Sequence, residues 1–348
     1  MKDIIKAIKR AGLIGRGGAC FPTAAKWTMV KDAPGKVKYV VCNAAEGEPG
    51  IKKDGYILEN YPDRVIDGLK LAIKFLGATK AYIYLNPRYY KKLRKNLEKA
   101  IGDLPIEIFK KDFSAGYIGG EESSALNHIE GKRIEPRLRP PFPPTRGLMD
   151  CPTLINNVET FYNVSLVNSG EYKNERFYTV GGDCLYDGVY KFGENLTIER
   201  ILKQTGNWPR FNFFVQVGGD ASGEVLNSSQ LRRPATGGGS ITIYSLIKHR
   251  PNDLLRRWLD FFTEESCGQC TPCREGVYRL REILDAPFPD WKLFGSLLKN
   301  LHETAICGLG SSVPIPIESY VKNVLIKMPE NEIRLKGINK KVVCECFN

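Results

Sequence analysis

Three cysteines of this chain, Cys267, Cys270 and Cys273, stand at C-x2-C-x2-C spacing inside Glu265-Ser-Cys-Gly-Gln-Cys-Thr-Pro-Cys-Arg-Glu-Gly, and Cys307 follows alone in Ala305-Ile-Cys-Gly-Leu-Gly. Three close thiols and one remote thiol are how a chain offers four thiolates to a cubane iron–sulfur cluster. The trio caps three irons of one face, and the fourth iron takes a sulfur from elsewhere in the fold. Such a cluster moves single electrons. Structural zinc is the competing reading, but it favours two separated C-x2-C pairs or a Cys/His mixture, and the chain has only three histidines, His128, His249 and His302. Disulfides would need an oxidising compartment. Cys20, Cys42, Cys151, Cys184, Cys344 and Cys346 are spare. Cys307 is the best candidate for the fourth ligand because small glycines beside it leave room for metal.

A second set of residues suits nucleotide chemistry. Gly15-Arg-Gly17-Gly18-Ala-Cys-Phe21-Pro-Thr is a glycine-rich loop that precedes any strand, so it is not the Rossmann fingerprint. It is either a plain turn or a loop that brings backbone N–H groups up to a phosphate or a ring. Lys26 adds a cation nearby. Asn43-Ala-Ala-Glu46-Gly-Glu48-Pro-Gly follows an apolar run. Two carboxylates and an amide there suit ribose hydroxyls and a nicotinamide amide, or make a solvated acidic turn. Gly119-Gly120-Glu121-Glu122 sets acids at a helix start, where the helix dipole favours them with or without a ligand. Asn156-Asn157-Val-Glu-Thr160 places paired amides at a helix entry, able to cap it or to hold a flavin phosphate.

The elements that must position these groups alternate in the N-terminal half. Val37–Cys42, Lys80–Leu85 and Ile106–Phe109 read as strands, Glu59–Leu76 and Arg88–Ile101 as helices with one apolar face, and Glu121–Ile129 as a further helix. That order predicts a parallel sheet with crossover helices, whose ligands bind beyond the carboxyl ends of the strands. The loops 43–50 and 114–122 fall there. Proline is dense between Glu135 and Pro152, so that stretch lies over the surface or over a ligand. Residues 177–245 change to short Gly-, Val-, Tyr- and Thr-rich strands around one helix, Thr197–Gln204, a small β domain. Leu254–Phe262, Glu275–Leu284, Trp291–His302 and Ile317–Lys327 are amphipathic and read as a bundle around the cluster.

At 348 residues the chain predicts two or three domains. No apolar run approaches a membrane span, and the amphipathic start, Met1-Lys-Asp-Ile-Ile-Lys, lacks the apolar core of a signal peptide. Cytoplasmic residence is expected, at the periphery of any membrane complex, with the cysteines doing metal or redox work. The net charge of +12 is spread out apart from Lys91, Lys92, Arg94 and Lys95, which argues against nucleic acid as a partner and suits docking of an acidic redox protein.

The motifs occur in an order that resembles the NADH-oxidising flavoprotein subunit of respiratory complex I, with relatives in NAD-linked hydrogenases and formate dehydrogenases. They are the Gly15, Asn43 and Tyr117-Ile-Gly-Gly-Glu-Glu segments, Glu130-Gly-Lys-Arg, Pro136-Arg-Leu-Arg-Pro-Pro-Phe-Pro, Ile155-Asn-Asn-Val-Glu-Thr and the cysteine run. The resemblance covers roughly residues 4–325. It implies an α/β chain: a Rossmann-like FMN- and NADH-binding domain (1–175), a small soluble-ligand-binding β-grasp domain (176–247), a helical bundle carrying one [4Fe–4S] cluster (248–330) and a tail (331–348). It implies FMN near Lys26, Asn43, Gly120, Glu121, Asn156, Asn157 and Thr160, adenine against Phe21 and Phe142, and the rest of NADH near Glu48 and Glu122, with Arg139 where lysine is usual. Gly15, Gly17, Gly18, Glu46 and Tyr117 complete the cofactor-binding set. Cys267, Cys270, Cys273 and Cys307 are the metal ligands, and hydride transfer needs no catalytic side chain. Partner subunits with iron–sulfur centres are implied: a thioredoxin-like ferredoxin subunit and a multi-cluster, hydrogenase, formate dehydrogenase or complex I module. The sequence departs from the family at Ala45, usually aspartate, at Met29, usually aromatic, and at Cys20, usually glycine. The alternative function is therefore an iron–sulfur scaffold or relay that has lost flavin or nucleotide binding. Cys344 and Cys346 read as free thiols.

Overall fold

The computed structural model describes residues 4–329, 335 and 337–347. They form two compact units, one of residues up to 47 with 51–178 and 191–194, the other of residues 48–50, 179–190 and from 195 on. Among the described residues no helix is long and apolar enough to cross a membrane.

The first unit is built on four parallel strands, β1 (Tyr39–Ala44), β2 (Lys80–Leu85), β3 (Ile106–Lys110) and β4 (Thr153–Asn157), in the order β3-β2-β1-β4. The chain leaves β1 toward β2 and β3 and returns to the other side of β1 as β4. The order reverses between β1 and β4, which is where open α/β sheets bind ligands. Strand β4 is absent from the sequence reading: Thr153–Asn157 is short and follows the proline-dense stretch, so its pattern is masked. The helix read as Glu59–Leu76 is two, Lys53–Asn60 and Pro62–Leu76, parted at Tyr61. Pro62 has no N–H to continue the first and restricts the residue before it. Pro62–Leu76 packs on Val158–Ser169 so closely that a Cβ at Gly68 would lie 2.1 Å from the Phe161 carbonyl oxygen. Only glycine permits that approach.

A five-stranded mixed sheet carries the second architecture. Its strands are β5 (Glu175–Gly182), β6 (Gly188–Gly193), β7 (Phe213–Val217), β8 (Glu224–Asn227) and β9 (Ser240–Ser245), in the order β6-β5-β9-β7-β8. The first and last of these, β5 and β9, pair in parallel at the centre, β7 is antiparallel to both its neighbours, and one α-helix, Ile198–Gln204, lies in the connection. This is the β-grasp arrangement. The helices Pro251–Glu264, Thr271–Asp285, Trp291–Thr304 and Pro314–Asn323 complete the second unit. Pro314–Asn323 docks on β8: Val225 N–H donates to Ser319 Oγ at 2.8 Å, and Asn323 exchanges side-chain bonds with Val225 O and Asn227. Toward the C-terminus a short helix, Lys340–Cys346, follows.

Candidate functional site

Asn157, the last residue of β4, pairs in register with Asn43, the penultimate residue of β1. Asn43 Nδ2 donates to Gly120 O at 2.8 Å, which draws the turn after β3 to the same place. Asn156 Oδ1 accepts from the buried Trp27 indole at 2.9 Å, and Lys26 Nζ, on the same helix Thr23–Asp32, reaches Ile155 O at 3.1 Å and Glu122 at 3.0 Å. Thr160 Oγ1 accepts from Arg16 N–H at 3.0 Å. Lys26, Asn43, Gly120, Glu122, Asn156, Asn157 and Thr160 are thus gathered at the β1/β4 reversal.

The glycine loop is a closed turn. Gly15 N–H donates to Phe21 O at 2.8 Å and Ile14 bridges to Pro22. A Cβ on Gly17 would touch Asn157 Cβ at 3.4 Å, so the loop lies against the reversal. Among the described residues the backbone N–H groups of Gly17 and Gly18 have no protein acceptor. Unspent N–H groups on a glycine turn beside a lysine fit a phosphate group. Cys20, at the loop tip, has φ 52°, a left-handed geometry that favours glycine.

Beneath this surface lies a buried charge network that sequence reasoning missed. Lys53 Nζ holds Asp54 at 2.7 Å, Asn157 Oδ1 at 3.0 Å and Glu159 at 3.2 Å. Asn157 Nδ2 donates to Asp54 at 2.6 Å while its Oδ1 caps helix Val158–Ser169 at Glu159 N–H. Burial pulls the Lys53 ammonium down, but Asp54 and Glu159 outweigh it and raise it. Glu46 does not face outward. Its carboxylate accepts from Asp54 N–H at 2.6 Å, Gly55 N–H at 3.1 Å and Tyr89 Oη at 2.6 Å. Burial chiefly, then the Asp54 charge, push Glu46 up to about 7. Lys52-Lys53-Asp54 looks like a surface charge run; no local signal shows that its middle residue is buried.

Arg139, Glu121, Glu122 and Phe142 form one cluster. Arg139 pairs with Glu121 and, at 3.1 Å, with Glu122, and its guanidinium lies 5.8 Å from the Phe142 ring centre. Glu121 Oε2 caps the next helix through Ser123 N–H and Ser124 N–H, both at 2.9 Å. Phe21, Phe142 and Met29 are 43%, 47% and 43% exposed, and open phenyl faces such as the first two can stack on a flat base. Tyr117 packs on Gly47. Ala45 is buried among Val41, Tyr84, Ala125, Leu126, Leu148 and Ile155, with Gly120 in contact. Its methyl belongs to a hydrophobic cluster.

Glu48 is held through its carboxylate. It counts with the second unit, where its carboxylate accepts from Ala221 N–H at 2.9 Å, Ser222 N–H at 3.1 Å and Ser222 Oγ at 2.9 Å.

In the helical region Cys270 directly precedes helix Thr271–Asp285 and Cys273 lies in its first turn, while Cys307 directly precedes Gly308–Ser312. Burial pushes the Cys273 thiol up to about 11, opposed by a Ser266 hydrogen bond and reinforced by Cys270, Cys307 and Cys267. The other three thiols therefore lie within electrostatic reach of Cys273. Among the described residues no group of three or more Cys, His, Asp or Glu is arranged to hold a single metal ion. A Cβ on Gly310 would press on Cys273 at 3.3 Å, and Arg274 braces the loop through Gly268 O at 2.9 Å. Four neighbouring thiols with glycine clearance fit a polynuclear cluster, whose positive irons let thiolates share such a pocket. Cys346 is a free thiol; the Cys344 side chain lies outside the described residues.

Comparison with known proteins agrees with both regions. Residues 8–166 match the family model of the Nuo51 FMN-binding domain, and residues 253–325 that of the NADH-ubiquinone oxidoreductase-F iron-sulfur binding region. The chain is 32% identical to the F subunit of the NADH-quinone oxidoreductase of Aquifex aeolicus, over 94% of this chain and 85% of that one. The chain belongs to the NADH-quinone oxidoreductase-F family. The family extends to the alpha subunit of the NAD-reducing hydrogenase HoxS of Cupriavidus necator, 33% identical over 94% of this chain and 60% of that subunit. A crystal structure of an NAD+-reducing [NiFe]-hydrogenase in the air-oxidized state matches with a TM-score of 0.83 at 31% identity, over 92% of this chain and 61% of that one. This chain thus spans about three-fifths of the length of those hydrogenase chains. Family membership makes it an NADH-oxidising, FMN-binding oxidoreductase subunit with a [4Fe–4S] region, one part of a multisubunit assembly.

Proposed function

We propose that this chain is the electron-entry subunit of a cytoplasmic or membrane-peripheral redox complex, and that its residues divide the work as follows. The unspent N–H groups of Gly17 and Gly18, with Gly15 closing their loop and Lys26 beside it, receive the flavin phosphate. Asn43, Gly120, Asn156, Asn157 and Thr160 shape the floor, most of them through side chains already bonded within the protein. Phe21 and Phe142 take the adenine between apolar faces, and Glu122 and Arg139 meet the polar part of the nucleotide. Glu121 and Tyr117 shape the turn that carries Gly120. Glu46 and Glu48 support the loop after β1 and leave direct contact to others. Bound FMN supplies the exchange between a two-electron donor and one-electron acceptors. Cys267, Cys270, Cys273 and Cys307 hold the cluster that passes electrons on, in either direction, to iron–sulfur partner subunits. These are a thioredoxin-like ferredoxin subunit and a complex I, hydrogenase or formate dehydrogenase module.

The convergence of the glycine loop, Lys26 and the paired asparagines on the β1/β4 reversal carries this reading. Its test is the visible spectrum of the purified chain. FMN released by acid, and bleaching of the flavin band by NADH under argon, are the expected results. Iron without flavin, even after incubation with FMN, would leave an iron–sulfur scaffold or relay instead.

A further inference from the structure

We propose that the Arg16–Glu194 ion pair is a positioning clamp that holds the Gly15–Phe21 loop in the shape that receives the phosphate of flavin mononucleotide. The inference rests on the flavin reading above and assigns a role to a residue whose side chain is turned into the protein.

Arg16 is the one charged residue of the glycine loop, yet it is 2% exposed. Its guanidinium meets Glu194 in a two-pronged bond, Nη1 to Oε1 at 2.6 Å and Nη2 to Oε2 at 2.9 Å, and Nη2 also reaches Tyr172 Oη at 3.3 Å. Two parallel bonds fix orientation as well as distance. The receptor is itself held. Glu194 N–H donates to Asn174 O at 2.9 Å, Tyr178 Oη donates to Glu194 O at 3.2 Å, and Tyr172 Oη donates to Asn174 Oδ1 at 3.1 Å. From the other side Arg16 N–H is fixed on Thr160 Oγ1 at 3.0 Å. Arg16 is therefore pinned by backbone and side chain, and Gly17 and Gly18 follow it directly, with their N–H groups unspent. A buried arginine alone would be a costly device for stability, since removing charge from water offsets much of what the pair returns. Orientation of the neighbouring N–H groups is what such a pair supplies that an apolar side chain would not.

Riboflavin separates this role from general stability, because it has the ring and lacks the phosphate. The full-length chain, stripped of flavin, is titrated with FMN and with riboflavin by flavin fluorescence, and its thermal unfolding is recorded. Arg16→Lys keeps the charge and loses the two-pronged bond. In this variant FMN affinity should fall on the order of 10- to 100-fold, the size of loss known for removing a group that orients a metal ligand, while riboflavin affinity stays at the wild-type value. Glu194→Gln should shift the same ratio in the same direction, and it carries the test if Arg16→Lys does not fold. An unchanged FMN-to-riboflavin ratio in the folded variants, or equal loss of both ligands, would overturn the clamp. A wild-type chain that binds neither flavin would overturn the flavin reading itself, and the clamp with it.

Discussion

Glu46 stands two residues past the end of β1 at φ 35°, with three donors on its carboxylate and Asp54 close by. Ionising it costs more in the folded chain than in the unfolded one, because burial and Asp54 push it up to about 7 from its ordinary 4.5. The folded state holds the proton longer, so this group's contribution to stability falls as pH rises from 4.5 to about 7 and is level outside that window. Glu46→Gln should remove that falling limb in urea unfolding measured across the window; a limb that persists unchanged would assign the titration to another group. At the cluster, Cys270→Ala should abolish bound iron while acid-released FMN stays at the wild-type amount. Unchanged iron would show that Cys270 is not a ligand. The cysteine spacing is fully legible in sequence because residues three apart are a local matter. Lys53, Asp54 and Glu159 are not, since what makes them a network is burial contributed by remote chain.

At the scale of elements, two contacts hold the reversal in place. Helix Thr23–Asp32, which brings in Lys26 and Trp27, ends on the buried Lys38 ammonium, which donates to Val30 O at 2.6 Å, Lys31 O at 2.5 Å and Ala33 O at 3.0 Å. A cation at a helix carboxyl end is also favoured by the dipole. Lys38→Met should cost about 1–3 kcal/mol in chemical unfolding, the penalty of orphaned buried carbonyls; a loss within error would mean that water replaces the ammonium. Gly68→Ala should cost about 3 kcal/mol or more, because its Cβ meets backbone, which cannot rotate away. Periodicity located β2, the helix ending at Ile101 and the amphipathic helices of the second unit. It failed at Thr23–Asp32, whose buried residues Thr23, Trp27 and Val30 include a polar one and give no clean apolar stripe, and at β4, whose burial is continuous rather than alternating up to Asn156.

Across the whole molecule the units are exchanged in small pieces. Residues 48–50 count with the second and 191–194 with the first, and such trades depend on contacts far apart in sequence that no local pattern encodes. The order of motifs is legible without them, which is why the family could be read before the fold. Iron and flavin should be separable: chelation under reducing conditions should raise hydrogen exchange in Thr271–Asp285 and Gly308–Ser312, which carry the thiols, and leave β1 and β4 protected. Loss of protection in all of them together would mean one cooperative unit. The asparagines and threonine at the β1/β4 reversal are already bonded to Trp27, Lys53, Asp54 and Arg16. A socket whose walls lean on each other has little disorder to lose when it fills, and little shape to lose when it empties. A batch that sheds its yellow colour during handling should therefore regain it on simple mixing, without unfolding and renaturation.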